Sequence, residues 1–327
     1  MTYEELENYL QYSSKEDQTY LPNEIFNELK VIKNPQHRAF AYSYIYLNNY
    51  IWRYAKYGQI PYSKLTQSSL YEILGKKGNK ALNYLTKKDG LLEEIKWLET
   101  VKDFPIIHEY KKEDDDLQFT FVSEWKEDVE LWNQVKPPNK FTVKRPIRSY
   151  HRNILDPEWS EDYEENGYED GTYFEIENTH QVPFEVFIYC MTNQNVGVKG
   201  FYLYSYLHSK TQLYGSYDVT MIGLSEQLAI PESTIEAWLD TIRKFNMLEV
   251  IHNQEHFILG LKKGERFANT YKTNTYKLFS NKPIEYKKMG VLPRSIYLDK
   301  LKKEQEKKEK EELEKYGITI SPDQLPF

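Results

Sequence analysis

An internal duplication constrains the fold of this chain more than any other feature. Leu21-Pro22 and the aromatic run that begins at Phe40 recur 161 residues later, as Val182-Pro183 and the run that begins at Phe201. Each copy also ends in a short hydrophobic segment, at 89–93 in the first copy and at 246–250 in the second. A solenoid unit is only about 20 to 50 residues long. The duplication therefore predicts two related domains, a first and a second copy.

The composition is that of a globular chain. It has 327 residues, of which 40% are hydrophobic and 15% aromatic, so each half is long enough to bury a core. The single cysteine, Cys190, excludes an internal disulfide framework and predicts a reducing cytoplasm. The N-terminus does not resemble a signal peptide. The chain contains no run of about 18 apolar residues, so we expect neither a membrane span nor a membrane partner.

The first copy has the pattern of three helices followed by a hairpin. Helices are predicted at about 36–56, at 68–74, and at 79–88 before Gly90. Strand-like alternation at 103–110 and 117–122 flanks an acidic turn and predicts a β-hairpin. This order is typical of a winged helix, in which the last two helices form a helix-turn-helix and the hairpin is the wing.

The second copy repeats the pattern more clearly. Ile222–Ala229 predicts one helix and Ser233–Phe245 the next, with a turn at Ile230–Glu232 between them. Short strands at 249–251 and 256–259 predict a second wing. The predicted fold class is therefore mainly α with small β-hairpins (α+β), arranged as two winged helix-turn-helix domains in tandem.

This fold divides the chain into five segments. Those between and after the domains are strongly charged: 139–152 holds five bases and no acid, 156–170 holds eight acids and no base, and 262–288 holds eight bases and two acids. Several prolines make a regular element unexpected in the linker. The predicted segments are a loose helical N-terminal arm (1–20), domain 1 (21–122), a charged linker (123–172), domain 2 (173–262), and a basic region with a charged C-terminal helix and tail (263–327).

The last helix of the first copy is the strongest candidate for contact with DNA. The segment from Lys76 to Lys88, which includes this helix and the turn before it, contains five lysines and no acidic residue. Leu82 and Leu85 are predicted to face the core. Lysine contacts phosphate or guanine, and asparagine pairs with adenine. The alternative is a solvated face of a winged helix that binds protein. The candidate residues are Lys76, Lys77, Asn79, Lys80, Asn83, Lys87 and Lys88.

The basic part of the linker is a second candidate. An arginine-rich extended arm can enter a minor groove. The alternative is that these residues pair with the acidic block that follows them. The candidates are Lys140, Lys144, Arg145, Arg148 and Arg152.

The last helix of the second copy is a weaker candidate. From Glu232 to Met247 it carries a net charge of −1, which is a poor surface for phosphates. Dimerisation or intramolecular packing is the rival role. The candidates are Ser233, Thr234, Arg243 and Lys244.

No pattern in the chain predicts an enzyme, a cofactor or a metal site. Gly75–Lys80 lacks the spacing of a phosphate-binding loop and does not follow a strand. His252 and His256 lack a nearby third ligand. No arrangement of nucleophile and base is recognisable in the sequence.

The segment Leu21–Phe26, the aromatic helix that ends in Tyr46-Leu47, and Gly90-Leu91-Leu92 resemble the winged-helix domain of DnaD-like and plasmid replication-initiator proteins. Those proteins belong to low-GC Gram-positive bacteria and their mobile elements. The resemblance covers 21–122 and, more loosely, 174–260. It implies a sequence-specific double-stranded-DNA-binding protein of a plasmid or phage, acting in replication initiation or its control.

Two other functions stay open at this point. A transcriptional repressor or activator could use the same scaffold, and a protein-interaction module could use it without binding DNA. A homodimer, or a partner from the replication or transcription machinery, is compatible with all three.

Overall fold

The structure is a computed structural model that describes residues 1–16, 19–111, 116–149 and 178–315. Helices and small sheets are mixed throughout, which confirms the α+β class. The elements of the N-terminal half are α1 (Tyr3–Tyr9), β1 (Tyr20–Pro22), α2 (Ile25–Glu28), α3 (Pro35–Arg53), α4 (Gln67–Ile73), α5 (Asn83–Thr86), α6 (Leu91–Glu94), β2 (Leu98–Val101), β3 (Pro105–Lys111), β4 (Asp116–Phe121), α7 (Val129–Val135) and β5 (Val143–Pro146).

The C-terminal half contains the second copy and a long helix after it. Its elements are β6 (Thr179–Gln181), α8 (Phe184–Thr192), α9 (Gly197–Thr211), β7 (Tyr217–Val219), α10 (Met221–Leu228), α11 (Glu232–Lys244), β8 (Leu248–His252), β9 (His256–Leu259), β10 (Asn269–Thr273), β11 (Gly290–Pro293) and α12 (Arg294–Lys315). None of the helices in the described ranges is long and apolar enough to span a membrane.

The aromatic helices α3 and α9 form the centre of the molecule. Asn34 caps α3 by accepting hydrogen bonds from the amides of Gln36 and His37, and Pro35 occupies its first turn. From Arg38 to Arg53 every residue of α3 is buried, as expected of a helix that lies inside a core. The rings of Tyr46 and Phe201 are 4.9 Å apart, so the two helices pack directly on each other.

A pair of short strands, one from each copy, joins the two halves of the chain. Strand β1 pairs antiparallel with β6, and Tyr20 lies opposite Gln181. These residues are 161 positions apart, which is the spacing of the duplication, so each pairs with its own counterpart. One continuous hydrophobic core runs through both copies. Each half is long enough to bury a core, but in the structure the two copies share one.

Arg38 fastens α3 to the second copy. Its side chain is buried, and its Nε and Nη2 donate to the carbonyl of Ile32 at 3.1 and 2.8 Å. Its Nη1 donates to the carbonyl of Leu228 and, at 3.5 Å, to that of Ala229. Ala229 is the left-handed residue that ends α10 (φ 48°). The guanidinium thus satisfies carbonyls at a helix end that would otherwise lack a partner.

The N-terminal arm is helical, as predicted, but it packs into the core and is not loose. Leu6 lies in α1 and Leu10 is the residue that caps its C-terminus, and both are buried. Lys56 is fully buried and its ammonium lies 2.7 Å from the carboxylate of Glu16. Its remaining donors reach the carbonyl of Gln11 and the side chain of Gln59. The mainly polar sequence of the arm hides these few anchoring residues.

The second copy follows its predicted helices and departs from its predicted wing. Helices α10 and α11 lie where expected, and α11 buries Ile235, Trp238, Leu239 and Ile242. Strand β8, however, pairs with β10 and not with β9, and the sheet order is β7-β10-β8. Strand β9 pairs in parallel with β11. The buried ring of Tyr271 on β10 explains why this strand, and not the half-exposed β9, covers the helices.

The first copy has a shorter last helix than predicted. In place of a helix over 79–88, a 3-10 turn at Lys80–Leu82 leads into the four residues of α5. The short hydrophobic segment at 89–93 overlaps α6, and the strand that corresponds to β8 begins at Leu98. A left-handed residue precedes each of these strands, Lys96 (φ 57°) and Asn246 (φ 54°).

The predicted hairpin is confirmed, and the predicted linker is partly wrong. Strands β3 and β4 pair antiparallel, as the alternating pattern indicated. The linker was expected to lack regular structure, but it contains α7 and β5. Strand β5 pairs with β2, with Pro146 opposite Leu98 at the end of the ladder, where a missing amide donor is tolerated. The first copy therefore extends to at least residue 149.

Candidate nucleic-acid interface

The lysines of the first copy lie together on one exposed element. Gly75 (φ 65°) and Gly78 (φ 72°) adopt left-handed conformations and turn the chain between α4 and the 3-10 turn. Leu82 and Leu85 are buried and anchor this element, as predicted. Lys76 is half-buried, and the other lysines are exposed. We call this set the lysine surface: Lys76, Lys77, Lys80, Lys87 and Lys88.

Most of the lysine surface carries uncompensated charge. Lys77 lies 2.9 Å from Glu72, but both side chains are well exposed, and such pairs contribute about 0 to 1 kcal/mol. Among the described residues, no carboxylate lies within 4.0 Å of the ammonium groups of Lys76, Lys80, Lys87 or Lys88. These groups are available to a polyanion.

The two predicted asparagines differ. Asn83 is exposed on α5 and available for contact. The side chain of Asn79 accepts a hydrogen bond from the amide of Ala81 and caps the 3-10 turn. Asn79 therefore has a local structural role that sequence reasoning did not assign to it.

Tyr84 is a candidate contact that sequence reasoning missed. Its side chain is 41% exposed, and its hydroxyl lies 3.1 Å from Nδ1 of His37 at the start of α3. Tyr84 lies on α5, between Lys80 and Lys87 in the chain, and all three side chains are exposed. Its place within the run of lysines was the signal that could have found it.

The basic linker residues are held by acidic residues of the first copy. Arg145 contacts Glu99 at 2.6 Å, and Lys144 contacts Glu93 and the hydroxyl of Thr100. Burial by itself raises the pKa of Glu93, but hydrogen bonds from Lys144, Thr100 and the Asp89 amide hold it below its usual value. Burial also lowers the pKa of Lys144.

Arg148 is held in a similar way. Its guanidinium contacts Glu28 at 2.6 Å and lies 4.6 Å from the ring centre of Trp97. Lys144, Arg145 and Arg148 therefore do not lie on a separate extended arm, because β5 pairs with β2 and a 3-10 turn follows it. Their acidic partners among the described residues, Glu93, Glu99 and Glu28, precede them in the chain. The acidic block at 156–170 lies outside the described residues. Lys140 is exposed, and Arg152 lies outside the described residues.

The predicted basic residues of α11 are also engaged within the chain. The guanidinium of Arg243 lies 3.9 Å from the ring centre of Tyr286, and Lys244 contacts Asp240 at 2.7 Å. Ser233 and Thr234 lie in the first turn of α11, with Ser233 exposed. Intramolecular packing, the rival role considered for this helix, matches these contacts.

A groove of about 690 Å³ lies between α11 and the sheet formed by β9 and β11. Phe257, Leu259, Phe267 and Val291 line it and are between 39% and 58% exposed. A folded chain usually buries such side chains or uses them for binding.

The described residues hold no group of three or more His, Cys, Asp or Glu side chains suited to a metal ion. Cys190 is buried, and burial raises the pKa of its thiol well above the usual value. Its thiol is therefore a poor candidate for a nucleophile.

Comparison of the chain with protein-family profiles, curated proteins and solved structures found no match.

Proposed function

We propose that this protein binds double-stranded DNA through the lysine surface of its first copy. In this proposal it is a non-enzymatic protein of a plasmid or phage that acts in replication initiation or its control. The observation that carries the proposal is the contrast in charge pairing. The predicted bases on β5, after it and on α11 are held by partners within the chain, whereas four lysines of the lysine surface have no described acidic partner.

The order of elements supports a winged-helix interpretation. In the second copy, α9, β7, α10, α11 and β8 follow one another, β10 comes after β9, and the antiparallel sheet has the order β7-β10-β8. In the first copy, β2 and β5 take the places of β8 and β10, with the β3–β4 hairpin and α7 inserted between them. A helix-turn-helix presents its last helix to the major groove, and under this interpretation the lysine surface corresponds to that helix in the first copy.

A salt titration tests this proposal. Duplex fragments selected from the source genome should bind with an affinity that falls as salt rises. Replacing Lys76, Lys80, Lys87 and Lys88 together by alanine should reduce the log–log slope by about 3 to 4, since each phosphate contact contributes about 0.9.

The matched control removes four lysines from α12, where all are exposed: Lys302, Lys303, Lys307 and Lys308. This variant has the same net charge as the test variant and should keep the slope of the wild type. If the wild type has no salt-sensitive affinity for any duplex, the proposed function is wrong. Equal slopes for the test and control variants would remove the contact from the lysine surface.

Footprinting on the native locus tests the biological role. Repeated protected sites beside an AT-rich stretch would support replication initiation. A single protected operator at a promoter would instead assign the protein to transcriptional control.

The apolar groove beside α11 favours a second candidate function, that of a protein-interaction module. Its half-exposed Phe257 and Leu259 are typical of a surface that binds a partner. The same titration distinguishes the two functions, because a module of this kind needs no salt-sensitive affinity for duplex DNA.

A further inference from the structure

The outer face of α11 is unsuited to DNA contact by itself. Its acidic residues are Glu232, Glu236 and Asp240, and its two bases are engaged with Tyr286 and Asp240. A helix with this charge repels phosphates.

A basic segment lies across the end of this helix. We call residues 277–288 the basic strap. The amide of Ile284 donates to the carbonyl of Lys244 at 2.7 Å, and the amide of Ser280 donates to the carbonyl of Phe245 at 2.9 Å. These bonds satisfy carbonyls at the C-terminus of α11, which have no partner within the helix. The strap is therefore bound through its backbone, independently of its lysine side chains.

Side chains hold the strap in the same place. The hydroxyl of Tyr286 donates to Asp240 at 2.6 Å, and its ring lies beneath Arg243. The hydroxyl of Tyr189 donates to the carbonyl of Ser280 at 2.6 Å. Asp240, an acidic group of α11, is thus occupied by contacts with Lys244 and the strap.

The lysines of the strap present positive charge to the solvent, in contrast to the acidic residues of α11. Lys277, Lys282, Lys287 and Lys288 are all exposed. Lys288 lies close enough to Asp240 to interact with its charge, but no described carboxylate lies within 4.0 Å of the four ammonium groups. Glu285 is the only acid between residues 277 and 288, so the segment carries a net charge of +3, from four lysines and one glutamate.

We propose that the basic strap is a second phosphate-contacting surface, and that the second copy meets DNA through the strap and not through α11. This inference rests on the proposed function and adds a contact surface to it. Phosphate contact needs positive charge and little base-edge geometry, which an extended segment fixed to a helix provides.

The test replaces Lys277, Lys282, Lys287 and Lys288 together by alanine in the full-length chain. The α12 variant that loses four lysines serves again as the control of equal charge. With selected duplex DNA, the strap variant should reduce the log–log slope by about 3 to 4, while the control keeps it. Far-UV circular dichroism checks that both variants are folded.

The outcomes separate this inference from the proposed function. If the wild type binds DNA with a salt-dependent slope, and the lysine-surface variant reduces that slope while the strap variant matches the control, the strap inference is overturned and the proposed function stands. A wild type without salt-sensitive affinity overturns both.

A second variant tests the position of the strap without changing its lysines. Tyr286→Ala removes the hydrogen bond to Asp240 and the contact with Arg243. We expect a reduced slope, because the lysines then lack a fixed arrangement. A higher affinity would show instead that the strap covers a surface that reads DNA, and would overturn the inference. Tyr189→Phe, which removes one contact at the other end of the strap, should give a smaller effect in the same direction.

Discussion

His180 is a buried histidine at the contact between the two copies. The hydroxyl of Tyr42 lies 2.7 Å from its Nε2, and Oδ1 of Asn23 lies 3.0 Å from its Nδ1. Burial lowers the pKa of His180 to about 3, with further lowering by the charges of His208 and Lys210. The folded protein therefore keeps this ring neutral at pH values where the unfolded chain protonates it.

The sign of the effect on stability follows from this shift. Because the folded pKa is below the unfolded pKa of about 6.5, the contribution is present above pH 6.5 and is lost as the pH falls toward 3. The slope is at most about 1.4 kcal/mol per pH unit. We expect His180→Gln to reduce the loss of unfolding free energy between pH 7 and pH 5, measured by urea denaturation. The prediction fails if the variant loses as much stability as the wild type over that interval.

Gly58 is required by a close approach of two backbone segments. A Cβ atom at this position would lie 2.1 Å from the carbonyl oxygen of Ile106 on β3. We expect Gly58→Ala to lower the unfolding free energy by about 1 to 3 kcal/mol, the usual cost of overpacking. Gly264→Ala is the matched control, since its Cβ would meet no atom within 4 Å. Equal urea midpoints for the two variants would contradict this account.

At the scale of the element, the sequence correctly predicted helices that have a clear apolar face. It did not predict the length of a helix that is ended by side-chain hydrogen bonds. The apolar face of α11 (Ile235, Trp238, Leu239 and Ile242) is visible as helical spacing, and the helix forms as expected. The last helix of the first copy is shortened because Asn79 caps a 3-10 turn, and Thr86 near its end bonds to Gln67 and Tyr71. Such partners lie elsewhere in the chain and leave no periodic signal.

The candidate site shows the same limit. The lysine surface could be found from the sequence, because it depends on a local run of charge without acids. The engagement of Lys144, Arg145 and Arg148 could not, because it depends on the pairing of β5 with β2 across about 40 intervening residues. Strand pairing at such distances is set by burial in the folded chain and not by local preference.

The hydrogen bonds by which Arg38 joins α3 to the turn after α10 can be tested at this scale. Arg38→Leu removes the donors to Ile32, Leu228 and Ala229 and leaves buried carbonyls without partners. We expect a loss of about 3 kcal/mol in unfolding free energy, as for hydrogen bonds from a charged group. Arg38→Lys should restore part of it, because one ammonium cannot reach all three carbonyls. Hydrogen exchange should become faster in α10 and α11. Unchanged exchange there would argue against a role for Arg38 in joining α3 to the second copy.

At the scale of the whole molecule, the shared core makes the two copies interdependent. The rings of Tyr50 and Phe184 are stacked 3.5 Å apart, and the hydroxyl of Tyr46 donates to the carbonyl of Val182. We expect a fragment of residues 1–149 to lack cooperative thermal unfolding, because the aromatic face of α3 would be exposed to water. Mixing it with residues 178–327 should restore some of the cooperative transition in calorimetry. A cooperative transition in the isolated fragment would mean that the first copy folds alone.

The pairing of β1 with β6 also has a consequence for biosynthesis. Tyr20 is translated 161 residues before Gln181, the residue that it lies opposite. At about 5 to 20 residues per second, the strand waits roughly 8 to 30 seconds for its partner. During that interval the tyrosine-rich helix behind it emerges from the ribosome without α9 to cover it. We therefore expect nascent chains of this protein to expose, for a time, a hydrophobic surface to chaperones that is buried in the folded molecule.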